Sequence, residues 1–174
     1  MTSLYTNLVK QSAWYPEHHP QVKRIPTEWR KWLLDKGSLT EKLIEHSDDN
    51  FRVRVLSQRW ELPLLYEAVR LKISPRVAVR VREVELYIHD KAVVYARSIM
   101  PLQIYQQQRH TLQNIGTRPL GQLLFRDGRI RVSKRHVAVY KNGDHRLIYG
   151  RSTPYQYCGK EILVSEYFID ESLL

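Results

Sequence analysis

Arg82 and Glu166 are charged residues set among apolar ones, and together they are of the right types to hold the two ends of a small polar molecule. Arg82 lies in residues 76–89 and Glu166 in residues 161–169, and both segments are rich in the β-branched and aromatic residues of strands. Side chains alternate faces along a strand. Arg82 therefore shares a face with Val84, Leu86 and Ile88, and Glu166 shares one with Ile162, Val164 and Phe168. An inward charge is costly unless it meets a partner. Two readings stand. The charges form a structural ion pair, with each other or with Arg80, Glu83 or Glu85. Alternatively, a guanidinium fork and a carboxylate face a small anionic guest.

Arg97 shares a face with Val93, Tyr95 and Ile99, which makes it a second inward arginine or a snorkelling edge residue. Other machineries are missing from the sequence. Gly116, Gly121, Gly128 and Gly143 match neither phosphate-loop spacing. There is no Gly-x-Ser-x-Gly elbow. The pair His18 and His19 has no second ligand cluster at metal spacing and reads as a surface loop. The single cysteine, Cys158, excludes an intrachain disulfide and has no catalytic signature around it. The expectation is a protein that needs no metal and no cofactor.

Elements able to position these groups follow from periodicity and punctuation. Residues 1–25 read as an irregular lead-in, with Pro16 and Pro20 as breakers. Thr27 starts one short helix that Gly37 stops, and Ser38 with Glu41 has capping-box spacing for a second. Helices this short must pack on something. Strands are predicted near residues 51–55, 76–89, 92–100, 130–140, 146–157 and 161–169, with a helical turn at 64–70 and a helix over 102–114. In residues 76–89 the apolar phase switches from Val77, Val79 and Val81 to Val84, Leu86 and Ile88, which predicts a bulge or strong twist near Arg82. Asn142 and Gly143 mark a hairpin. The predicted fold is α+β: one domain over residues 1–174, with a single antiparallel sheet of about six strands, helices gathered on one face, and a helical hairpin as a flap.

The 174 residues carry a net charge of +10, from 28 Lys+Arg against 18 Asp+Glu. That charge suits a solvated surface, a nucleic-acid footprint or a field that gathers small anions. The densest basic run, residues 129–135, alternates with Ile130 and Val132 and reads as an edge strand with a solvated face. No aromatic stacking motif accompanies it, so nucleic acid is not the expected partner. No apolar run approaches the roughly 20 residues of a membrane helix. Residues 1–10 lack a signal-peptide core, so the expected location is the cytoplasm.

Ordered segments from Pro26 to Asp170 resemble the chorismate pyruvate-lyase (4-hydroxybenzoate synthase) family. They are Trp32, Leu33 and Leu34 followed by Ser38, Leu39 and Thr40; Val81 to Val84; Ala96 to Pro101; Gly116 to Gly121 with Leu124 and Phe125; Tyr149 to Ser152; and Gly159 and Lys160 with Leu163 to Phe168. The resemblance implies a chorismate lyase/UTRA-like fold over residues 26–170. It also implies a cofactor-free conversion of chorismate to 4-hydroxybenzoate and pyruvate, the first committed step of ubiquinone synthesis, with product inhibition. It places Arg82 on the ring carboxylate, Glu166 on the 4-hydroxyl, and Leu39 and Leu120 as backbone contacts. Arg97 and Arg151 are implied as possible contacts to a second carboxylate. The match at Tyr149 to Ser152 departs from a Trp-Gly-Arg-Arg pattern, which weakens the case for Arg151. On this reading the partners are chorismate and 4-hydroxybenzoate, and the protein is a monomer. The rivals are a UTRA-like effector domain that binds without turnover, although 25 preceding residues are too few for the winged-helix module of such regulators, and a basic nucleic-acid binder.

Overall fold

The computed structural model describes residues 5–125 and 131–174. In chain order the elements are α1 (Thr6–Gln11), β1 (Ala13–Pro16), α2 (Pro20–Lys23), α3 (Thr27–Leu33), α4 (Leu39–His46), β2 (Phe51–Glu61), α5 (Leu65–Leu71), β3 (Val79–Ile88), β4 (Lys91–Met100), α6 (Leu102–Gln107), α7 (Arg109–Gln113), α8 (Leu120–Phe125), β5 (His136–Lys141), β6 (Leu147–Tyr157) and β7 (Lys160–Phe168). The seven strands make one antiparallel sheet in the order β1-β5-β6-β7-β4-β3-β2.

Tight turns set this order. Cys158 and Gly159 join β6 to β7 with φ of +49° and +76°, the two positive angles that a type I′ turn requires. The Asn142 hairpin forms too, as a longer loop whose Asn142 side chain accepts the Asp144 and Arg146 N–H groups at 3.1 and 2.8 Å. Ser38 caps α4 as its spacing predicts, accepting the Glu41 N–H at 3.3 Å.

The sheet exceeds the expected count by β1, which lies inside the stretch expected to be irregular. Its breakers are real, but Trp14 stacks on Tyr66 at 4.7 Å and meets Tyr167 edge-on, so tertiary packing overrides local signals. The single expected helix over 102–114 is two, α6 and α7, separated at Gln108. Of the predicted strand from residue 130, position 130 lies outside the described residues, Val132 makes an isolated bridge to Tyr155, and the strand proper starts at His136.

Most helical cover lies on one face. There Trp29, Trp32, Leu33, Leu39 and Leu43 pack on Val84, Leu86 and Phe168, and Ile104, Leu112, Leu120 and Leu124 pack on Tyr155 and Val164. The other face is not bare. Leu71 of α5 packs on Val79, Val81 and Leu163, and Leu8 of α1 on Tyr95 and Tyr167. This two-sided burial explains the phase switch in β3: its odd residues serve one core and its even residues the other. The local irregularity sits in the neighbouring strand, between Val55 and Ser57 of β2.

Candidate functional site

A small cavity opens between the sheet and the helices of the better-covered face. Its floor is β3, β4 and β7. Arg82 is paired across the ladder with Ser98, Ser98 with Val164, and Ala96 with Glu166. The small side chains of Ala96 and Ser98 keep the floor low between the two charges. A displacement of two strands and two residues sets the Arg82 and Glu166 Cα atoms roughly 12 Å apart on an ideal sheet. The roof comes from the starts of α4 and α8, with Leu39, Thr40, Leu120 and Gly121, and from Leu124 and Phe125.

Arg82 and Glu166 line this cavity and do not bond to each other. Arg82 is 2% exposed. Its Nη2 donates to the carbonyls of Gly116 and Arg118, each at 3.0 Å, and its Nε has no partner among the described residues. Among the described residues no carboxylate pairs with it. Burial alone pulls its pKa down to about 10. Gly116 sits at φ +51°, a turn conformation that suits glycine, and its carbonyl reaches the guanidinium.

Glu166 is 8% exposed and accepts one hydrogen bond, from Arg151 Nε to Oε2 at 2.5 Å. Among the described residues its Oε1 has no donor. Arg151 was a candidate for a second carboxylate contact, and the structure corrects that. It is fully buried beneath Glu166, does not line the cavity, and its Nη1 donates to the carbonyls of Trp32 and Asp35 at 2.8 and 3.1 Å. Burial disfavours its charge, but Glu166 reverses this and raises its pKa. Arg135 adds bonds from Nη1 to the Leu33 and Asp35 carbonyls, 3.0 and 2.5 Å. The two arginines thus satisfy the carbonyls at the C-terminal end of α3, which anchors the α3–α4 hairpin to the sheet.

Arg97 is also corrected. It lies on the opposite face of β4, paired across the ladder with Glu83. Its Nε meets Glu67 at 2.7 Å, and its Nη1 meets Glu61 at 2.8 Å and Glu83 at 3.5 Å. Burial works against its charge, and the bond and charge of Glu67, with Glu61, more than restore it. Its charge is claimed by three carboxylates on the face of the sheet away from the cavity.

Leu39 and Leu120 are the first residues of α4 and α8, where backbone N–H groups have no acceptor within the helix. Gly121 brings these helices together, since a Cβ there would lie 3.1 Å from Thr40 Oγ1. Reading the sequence missed Tyr155, Thr40 and Ser98, all on the cavity wall. Tyr155 had a signal, because alternation along β6 places it on the same face as Arg151. Burial, and then the charge of Glu166, raise the Tyr155 pKa, which keeps its hydroxyl protonated.

Comparison with known proteins adds the following. Residues 8–174 match the family model described as chorismate lyase. A probable chorismate pyruvate-lyase of Methylococcus capsulatus is 32% identical over 149 residues, covering 79% of this chain and 92% of that one. One from Pseudomonas aeruginosa is 34% identical over 156 residues, covering 86% and 87%. Among solved structures, PhnF from Mycobacterium smegmatis aligns with a TM-score of 0.53 at 16% identity over 78% of this chain and 64% of that one. The ligand-binding domain of a putative GntR-family regulator from Bordetella bronchiseptica aligns at 0.51 and 12% identity over 70% and 85%. At such identity these two share the fold only.

Proposed function

Because the chain belongs to the chorismate lyase family, we propose that it converts chorismate to 4-hydroxybenzoate and pyruvate and so feeds ubiquinone synthesis. One observation carries the reading: a buried arginine that no carboxylate pairs with among the described residues faces a small cavity whose far end holds a buried glutamate with an oxygen that takes no donor from them. That pattern suits a ring with a carboxylate at one end and a hydroxyl opposite.

Arg82 holds the ring carboxylate, and Glu166 accepts a hydrogen bond from the 4-hydroxyl. Val84, Leu86, Leu124 and Val164 keep water from the ring. The C4–H proton leaves, its electron pair becomes a ring π bond, and the C3–O bond breaks to release enolpyruvate. Enolpyruvate takes up a proton to become pyruvate, and aromatisation drives the step. With Arg97 and Arg151 committed elsewhere, the side-chain donors left to the enolpyruvyl carboxylate among the described lining residues are the hydroxyls of Thr40, Ser98 and Tyr155. The α3–α4 hairpin and residues 112–121 close over the guest as flaps, so product release is slow.

Purified protein incubated with chorismate and EDTA should release 4-hydroxybenzoate and pyruvate in equal amounts. Binding of chorismate without either product would assign the cavity to an effector domain. Glu166→Gln should fold normally and turn over more slowly; wild-type kcat in that variant removes Glu166 from the mechanism. Stopped-flow release of 4-hydroxybenzoate faster than turnover would remove the flaps.

A further inference from the structure

The outer side of α5 is apolar and uncovered. Ala68 and Leu71 face the sheet and are buried, while Leu65 and Val69, one turn apart, are 71% and 67% exposed. The apolar surface continues past both ends of the helix. Leu62 is 58% exposed and Val77 49%. Val77 shares one groove with Leu102 and Lys72. Scattered exposed apolar residues are ordinary, but a cluster of this kind marks an interaction surface.

The charge around it has one sign. Residues 62–78, which make up α5 and its flanking segments, contain three Lys and Arg against one Glu. That glutamate is unavailable, because Glu67 is buried on Arg97 and the Leu64 N–H, and Glu61 at the end of β2 pairs with Arg59 and Arg97. Lys72 and Arg76 have no ion pair among the described residues. Glu161, on the groove wall, accepts hydrogen bonds from Ser133 and Gln156. A second copy docked about a two-fold axis would set these cations against one another. The complementary partner is negative on its outside and apolar just below. Aliphatic side chains flanked by Lys and Arg are what chain segments lying in a bilayer interface carry.

We propose that this face docks peripherally on an anionic lipid surface, with Leu62, Leu65 and Val69 at the acyl boundary and Lys72 and Arg76 among the headgroups. α5 lies across the sheet from the cavity, so docking leaves the cavity untouched.

The test is sedimentation of the full chain with vesicles of phosphatidylcholine alone or of phosphatidylcholine with phosphatidylglycerol. The protein should pellet only with the second and should be released by high salt. Leu65→Ser with Val69→Ser should abolish pelleting. Lys72→Gln with Arg76→Gln should weaken it about 25-fold, at roughly fivefold per cation. Both double variants should keep wild-type melting temperature and turnover. No pelleting with either vesicle, equal pelleting with both, or unaltered pelleting of both variants overturns the proposal. Binding to polyglutamate without binding to vesicles also overturns it and assigns the face to an acidic polymer.

Discussion

Arg82 and Arg97 are buried arginines on adjacent strands, 2% and 5% exposed, and they point to opposite faces of one sheet. Arg97 is enclosed by three glutamates, and burial has been more than offset by their charges. Arg82 has two carbonyls, no carboxylate among the described residues, and a pKa drawn down to about 10 by burial. A structural cation is saturated by its own fold; a cation kept for a ligand is left short of counter-charge. The opposite-face network is closed further by the hydrogen bonds of Ser57 and Tyr95 to Glu83. Burial pushes the Glu83 carboxyl up, but these bonds and the charges of Arg97 and Arg59 hold it below its ordinary value.

If this contrast is right, removing the two charges has opposite consequences. Arg97→Leu strands buried Glu67 and weakens the support of Glu83, so it should cost about 3–5 kcal/mol of stability, read from urea unfolding, while ligand affinity at a temperature where the variant is folded stays near wild type. Arg82→Leu should do the reverse. Losing a charged contact costs about 1.5–3 kcal/mol of 4-hydroxybenzoate affinity, roughly 10- to 150-fold by calorimetry. Stability should move by no more than about 1 kcal/mol, because freeing two carbonyls opposes the removal of an uncompensated buried charge. An Arg82→Leu protein that unfolds easily yet retains its ligand would invert the comparison.

The sequence made the two ends of the cavity legible because strand alternation is strict: the parity of Arg82 with Val84 and of Glu166 with Val164 survives any sheet that buries those valines. Parity does not say which face is which. Arg97 has apolar neighbours just as Arg82 does, and only the strand order, with β4 between β3 and β7, shows that it looks away from Glu166. The carboxylates that claim it, Glu61 and Glu67, lie 30 or more positions away, a distance across which no local pattern carries information. Strand β1 escaped notice for a similar reason, since its stability comes from Trp14 packing on Tyr66 and Tyr167. The helical hairpin was legible because the Ser38 cap is a local device.

Arg151 sharpens the comparison as an intermediate case. It is buried and paired, as Arg97 is, although its Nη2 has no partner among the described residues, and one of its partners is Glu166. It is therefore a positioning residue, setting the carboxylate through one charge-assisted bond. Arg151→Lys keeps a cation but loses the fork that reaches Glu166 and the α3 carbonyls together. We expect kcat to fall about tenfold, the scale of one such bond at the low end, with KM changing far less. An equal loss in Arg151→Lys/Glu166→Gln and in Glu166→Gln alone would show that Arg151 acts through Glu166; additive losses would refute that.

The smallest effect isolates the uncompensated charge of Arg82. Benzoate carries the ring carboxylate but no titrating hydroxyl, so any alkaline loss of its binding reports on the protein. A carboxylate binds the protonated guanidinium, and in the empty protein half of Arg82 is deprotonated at its pKa of about 10. Binding should be full well below that value, about twofold weaker at it, and should fall further as pH rises, with proton uptake on binding in the same range. Calorimetry in buffers of different ionisation enthalpy measures that uptake. A saturated arginine would not titrate there, so affinity for benzoate that stays flat through this window, in protein still folded by circular dichroism, would mean that Arg82 is as fully compensated as Arg97 and would remove the distinction between the two faces.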